Sequence, residues 1–142
     1  AANAAGPYHN VVAALGQLFE RSAQDRGVAP ATMQAGYLAF VFVWAGLGEE
    51  LFYRGYMHAA LRRTCGFAPA ALLSAACFAL RHAAQLAYLA PDYPYGAAVS
   101  WVGFSFVAGI VFSWLYEKTG SLRAPVAAHY LLNAIPVVAA AG

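Results

Sequence analysis

Long uncharged runs constrain this chain more than any other feature of its 142 residues. Between Met33 and Leu47 there is one polar side chain, Gln34, and no charge, and no proline interrupts the helix-compatible sequence before Gly66. A helix over 32–65 would be about 51 Å long at 1.5 Å per residue, which exceeds the hydrocarbon core of a bilayer, about 30 Å thick. The run therefore predicts a membrane-spanning helix that tilts or protrudes.

Three further segments are expected to form membrane helices. We predict one helix over 69–89, one over 97–118, and one from Ser121 that tolerates Pro125 in its first turn and is kinked at Pro136. The loop between the first two of these, over 91–96, has turn chemistry and interfacial tyrosines.

Small residues recur every four positions on two of these helices. Alanines stand at 71, 75, 79, 83 and 87, and the next helix carries Ser105, Gly109 and Ser113. Small side chains at this spacing let helix backbones approach closely in lipid. We therefore expect both stripes to be helix-packing faces.

Composition agrees with a helix bundle in lipid. The hydrophobic set makes up 62% of the chain and charged residues only 10%, whereas soluble domains carry about 25% charged residues. A net charge of +2 does not indicate a basic surface of the kind that binds nucleic acid. The predicted fold class is an all-α, polytopic membrane helix bundle with about four transmembrane helices and its site inside the bundle. Residues 1–30 are expected to be a juxtamembrane or truncated segment, and 31–142 the core.

Several polar side chains lie inside the predicted spans. A charged group there costs at least about 2.5 kcal/mol, so each one needs a reason. The first long helix contributes Glu49, Glu50 and Arg54, the second Arg81 and His82, and the last His129 and Asn133. We therefore place a candidate site where these helices meet. We assign no chemistry to Arg81, and we interpret His58, near a helix end, as a snorkelling interfacial residue.

The spacing of these residues separates their roles. Glu50 and Arg54 are four apart, so they share a helix face and can pair, either as a structural clamp or as part of the site. His129 and Asn133 have the same spacing and aim at one point. Glu49 lies about 100° around the helix from Glu50, so the two carboxylates cannot share one task. We expect Arg54 to neutralise one carboxylate and the other to face the two histidines.

These residue types suit hydrolysis of an acyl bond by water. A carboxylate desolvated among apolar helices is a good general base, and a histidine beside it can share the proton. A second histidine and an asparagine amide can stabilise an oxyanion. The same set could also be a His₂Glu zinc site with one position left for water, although the sequence contains no HExxH motif. No serine or cysteine stands in a recognisable nucleophile motif.

Three motifs carry a family resemblance. Glu49–Arg54 reads EExxxR, Phe78–His82 reads FxxxH and His129–Asn133 reads HxxxN, with the segments 106–109 and 120–125 between the last two. In order and spacing these motifs resemble those of the CAAX prenyl protease and bacteriocin-processing family (CPBP, also called Abi). This is the type II prenyl endopeptidase superfamily of intramembrane proteases. The resemblance covers residues 38–137.

The resemblance implies a role for each motif residue. Glu49 would activate water with His82 as its partner, His129 and Asn133 would form the oxyanion site, and Glu50 with Arg54 would be an orienting pair. Members have been described both as metalloproteases and as metal-independent glutamate proteases. We favour no cofactor; if zinc is bound, its ligands would be Glu49, His82 and His129.

The expected function is that of an intramembrane endopeptidase acting on a prenylated or maturing peptide or protein substrate. Its partners would be the lipid bilayer and that substrate, and its location the bacterial plasma membrane as a multi-pass protein. The alternative is a non-catalytic immunity or peptide-binding membrane protein that uses the same cavity. A third possible class of function is proton or ion transport through the Glu/His cluster, but the order of the motifs does not support it.

Overall fold

The computed structural model describes residues 7–89 and 95–139, and every regular element that these residues form is a helix. This confirms the all-α fold class. Residues 1–6, 90–94 and 140–142 lie outside the described part, and these include residues 91–94 of the predicted loop. The helices are α1 (Pro7–Arg26), α2 (Pro30–Cys65), α3 (Phe67–Leu89), α4 (Tyr95–Thr119) and α5 (Arg123–Ala139).

Three helices are long and apolar enough to cross a membrane, over Pro30–Cys65, Phe67–Gln85 and Ala98–Thr119. The sequence predicted about four. The fourth helix is present as α5, but its 17 residues rise only about 25 Å, less than the hydrocarbon thickness of about 30 Å. Among the described residues, the number of candidate spans is therefore three.

The ends of α2 have local causes. The helix starts at Pro30, two residues before the start predicted at residue 32, because a proline in the first turn has no N–H left without a partner. It ends at Gly66, as predicted, where φ is +80°, a conformation that side chains with a Cβ rarely adopt.

The middle of α2 departs from α-helical geometry. Two π-helical segments, Val41–Gly48 and Leu51–His58, flank the two adjacent glutamates of the first motif. The amide of Ala59 donates to the carbonyl of Arg54, five residues earlier. Such segments are rare and occur frequently at functional sites, and no residue pattern predicted them.

The chain divides into two compact units, and the second, Gly48–Ala127, holds the end of α2 with α3 and α4. Its core consists of small residues and a few aromatic rings. The predicted stripe on α4 is buried at all three positions, and that on α3 is buried at its first three alanines. Around them lie the buried side chains of Tyr53, Phe78, Ala108 and Phe112.

The first unit comprises Ala1–Leu47 and Ala128–Gly142. On α1, Phe19 and Ala23 are buried, and the Phe19 ring meets Tyr37 of α2 edge-on at 5.7 Å. The hydroxyl of Tyr130 donates to the carbonyl of Phe42 at 2.6 Å, and their rings lie 4.6 Å apart. These contacts join α1 and α5 to the first half of α2.

Gly109 marks a close contact between α3 and α4 that a mutation can probe. A Cβ at this position would lie 2.9 Å from the Cα of Ala75, a backbone atom that cannot move aside, and 3.3 Å from Nη2 of Arg54. We expect Gly109→Ala to lower the free energy of unfolding by about 1–3 kcal/mol in detergent micelles.

The matched control is Gly103→Ala on the same helix. A Cβ at Gly103 meets nothing within 4 Å, so this variant should gain up to about 1 kcal/mol from helix propensity. Equal effects of the two substitutions would show that α3 and α4 do not pack at Gly109.

Candidate active site

Arg54 is a fully buried cation with partners on two helices. Its Nη1 donates to Oε1 of Glu50 at 2.8 Å, and neither side chain is exposed at all. Its Nη2 donates to the carbonyl of Gly109 on α4 at 3.0 Å. The guanidinium also lies 4.7 Å from the ring centre of Phe78 and 5.0 Å from that of Phe112. The predicted pairing of Glu50 with Arg54 is thus present.

This pair binds α2 to its neighbours. The carbonyl of Gly109 accepts a second hydrogen bond, from Oγ of Ser113 at 3.0 Å, and Oγ of Ser74 on α3 donates to the carbonyl of Tyr53 at 2.9 Å. Breaking a buried ion pair by removing one partner is strongly destabilising, because the other charge stays buried. The geometry is that of a structural clamp, one of the two roles that the spacing left open.

Glu49 has a cation of its own. From the sequence, Glu49 was expected to be the carboxylate that no arginine neutralises; the structure instead places its Oε1 2.6 Å from Nη1 of Arg81 on α3. Only 7% of the Glu49 side chain is exposed, against 35% of the Arg81 side chain. The long arginine side chain spans the gap between the two helices. The second ion pair therefore differs from the first in being open on one side.

The tautomer of His82 follows from its contacts. Its Nδ1 lies 2.8 Å from the carbonyl oxygen of Phe78, which can only accept, so Nδ1 carries the proton in the neutral ring. The other ring nitrogen, Nε2, then has the lone pair that can take a proton or bind a metal. Edge-to-face contacts with Phe78 at 4.5 Å and Trp101 at 6.2 Å hold the ring.

His129 and Asn133 occupy successive turns of α5, as their spacing predicts. His129 is 3% exposed and Asn133 is half-buried. They belong to the first unit and the other motif residues to the second, and each group is described by itself.

Tyr130, which has no motif signal in the sequence, fixes the rotation of α5. Its hydroxyl bonds to Phe42, and a Cβ at Gly46 would overlap its ring. A glycine inside the uncharged run of α2 was the one sequence feature that could have indicated this close contact.

The interpretation of His58 as a snorkelling residue is wrong. Its side chain is fully buried, with the rings of Phe67 and Tyr116 at 5.9 and 6.0 Å. Its Nε2 lies 3.9 Å from Oε2 of Glu117, which also pairs with Arg62. Aromatic neighbours on α3 and α4 enclose the ring, so it does not reach towards the interface.

One of the would-be metal ligands is already held in an ion pair. In the described part of the chain, no three His, Cys, Asp or Glu side chains come together as a metal-binding group. The would-be ligand Glu49 already holds the cationic guanidinium of Arg81. The zinc alternative stays a prediction, and we derive no step through a metal ion.

The three apolar spans support an integral membrane protein. Residues 31–135 match the family described as Type II CAAX prenyl endopeptidase Rce1-like. The chain belongs to this family, which confirms the resemblance inferred from its motifs. No curated protein and no solved structure matches the chain.

The buried clamp can be tested with a double-mutant cycle. We expect Arg54→Met to lower the free energy of unfolding by about 3–5 kcal/mol, because Glu50 is then a buried charge without its cation. Adding Glu50→Gln should recover much of this loss, since both charges are then gone. Unfolding in mixed micelles gives the coupling energy.

The control is the exposed pair of Arg62 and Glu117, whose Nη2 and Oε1 atoms are 2.9 Å apart. Its cycle should give at most about 1 kcal/mol of coupling, because solvent screens both charges. Equal coupling in the two cycles would contradict the role of Arg54 as a clamp.

Proposed function

We propose that this protein is an intramembrane endopeptidase in which Glu49 activates the water that attacks the peptide bond. Glu49 takes a proton from the water as its oxygen bonds to the carbonyl carbon. His82, through Nε2, shares that proton and passes it to the departing amine. His129 and Asn133 stabilise the oxyanion by donating hydrogen bonds. Glu50 and Arg54 hold the helix that carries the base.

The observation that carries the proposal is the position of Glu49. Glu50 already satisfies the buried Arg54, so a second carboxylate is not needed for the clamp. Glu49 is nonetheless held at 2.6 Å by an arginine that directly precedes His82 on α3. A buried carboxylate whose arginine partner adjoins a histidine in the sequence supplies two groups that general acid–base hydrolysis can use.

The proposed mechanism needs no metal. A zinc ion bound by Glu49 would stand next to the positive charge of Arg81, which disfavours binding of a second cation. Asn133, one turn from His129, is suited to donate to an oxyanion. The alternative is a His₂Glu zinc protease with Glu49, His82 and His129 as ligands. It predicts that activity depends on bound zinc.

The proposed substrate is a membrane-associated peptide or protein, prenylated or undergoing maturation, cleaved near the bilayer surface. The family description supports the prenylated class. The proposed location is the bacterial plasma membrane, where a multi-pass protein meets lipid-anchored substrates laterally.

The first test is Glu49→Gln. Because the amide cannot take a proton from water, we expect kcat to fall by at least about 10²–10⁴-fold on a farnesylated peptide. The melting temperature in detergent should change little, since the partly exposed Arg81 can be hydrated and still has an oxygen to bind. The matched control Glu117→Gln, at the far end of α4, should retain activity. Near-normal turnover by Glu49→Gln would refute Glu49 as the base.

The second test is elemental analysis of the active enzyme. We expect activity without stoichiometric zinc and little effect of chelators. A metalloprotease would hold about one zinc per chain, lose activity on chelation and regain it when zinc is restored. Activity that tracks zinc occupancy would replace the metal-free mechanism with the His₂Glu form.

A further inference from the structure

The side chain of Tyr130 packs into one turn of α2. Its hydroxyl donates to the carbonyl of Phe42 at 2.6 Å, and its ring centre lies 4.6 Å from that of Phe42. The ring edge lies against the buried Gly46, where a Cβ would overlap it. A backbone carbonyl has two lone pairs, so the Phe42 oxygen can accept this bond in addition to one within the helix. Three contacts with one turn of α2 therefore hold this tyrosine.

The surroundings of this hydrogen bond make it hard to replace. Phe42 lies inside the candidate span Pro30–Cys65, and the exposed apolar side chains of Val43 and Trp44 follow it. Hydrocarbon offers no water to bond a hydroxyl or a carbonyl that has lost its partner, and an unpaired polar group there is costly. The Tyr130 hydroxyl is therefore held at the Phe42 carbonyl.

The position of Tyr130 on α5 determines what the contact controls. At 100° per residue, His129 lies about 100° and Asn133 about 60° around the helix from Tyr130, both on the same side. Hydrogen bonds depend on direction, whereas apolar packing, such as that of the buried Val137, does not. The hydroxyl of Tyr130 therefore fixes the rotation of α5, and with it the direction of the two side chains.

We propose that Tyr130 is a positioning residue, which by fixing the rotation of α5 holds His129 and Asn133 where they donate to the oxyanion. This inference rests on the proposed function and deepens it, because it names a residue outside the three motifs. A helix with its side chains has a radius of about 5–6 Å, so a rotation of about 10° moves a donor by about 1 Å. A misplacement of that size can cost about 10²-fold in rate.

The test is Tyr130→Phe, which removes the hydroxyl and keeps the ring beside Gly46. We expect kcat on a farnesylated peptide to fall by about 10–100-fold with little change in KM, because the oxyanion donors act chiefly on the developing charge. The control Tyr56→Phe removes the same atom from an exposed tyrosine of α2 and should leave both constants unchanged.

A second background separates positioning from a loss of folded protein, which would also lower kcat. In the Asn133→Ala enzyme, Tyr130→Phe should lower kcat by a smaller factor than in the unmodified enzyme, because one of the two donors that it positions is already gone. Unfolding of a fraction of the protein would lower kcat by the same factor in both backgrounds.

Gly46→Ala tests the same contact from the other helix. The new methyl group displaces the ring of Tyr130 and leaves its hydroxyl in place, so we expect the same fall in kcat and the same smaller factor in the Asn133→Ala background. The matched control is Gly36→Ala on the same helix, where a Cβ meets nothing within 4 Å; it should keep full activity.

The outcomes separate the two claims. No cleavage of the peptide by the unmodified protein would overturn the proposed function and this inference with it. An unchanged kcat in Tyr130→Phe, or an equal factor with and without Asn133, would overturn the role of Tyr130 and leave the proteolytic function standing. The same two criteria apply to Gly46→Ala, so the inference stays testable if one of the two variants does not fold.

Discussion

The buried ion pair of Arg54 and Glu50 is the interaction on which the rest of the structure depends. Removing both charges from water is costly, and their contact at 2.8 Å repays this only with further hydrogen bonds. The carbonyl of Gly109 supplies one, and it is reachable because position 109 has no side chain to keep α4 away from Ala75 on α3. At this point, burial of the two charges therefore depends on the small residue that lets α3 and α4 pack closely.

The pair of Glu49 and Arg81 has similar chemistry and the opposite exposure. Its partners lie on different helices, so it can form only after α2 and α3 have packed, and its arginine remains open on one side. One pair is closed, and the other is open on one side. The two adjacent glutamates of the first motif therefore differ in partner and in exposure.

The sequence predicted contacts that depend on one helix and missed those that depend on two. The i, i+4 pairing of Glu50 with Arg54 and the small-residue stripes follow from periodicity, and both are present. The pairing of Arg81 with Glu49 depends on the relative rotation of α2 and α3, which no residue pattern indicates. The π-helical segments and the enclosure of His58 likewise arise from packing. The roles of the site residues stay predictions.

The central claim, direct attack of an activated water, is tested most directly by single-turnover cleavage of a farnesylated peptide in ¹⁸O-labelled water with hydroxylamine present. Attack by water at Glu49 predicts one ¹⁸O atom in the new carboxylate of the prenylcysteine fragment, with neither a hydroxamate product nor an acylated protein by mass spectrometry. A hydroxamate or an acyl adduct would mean that a side chain is the nucleophile, and that result would contradict the mechanism.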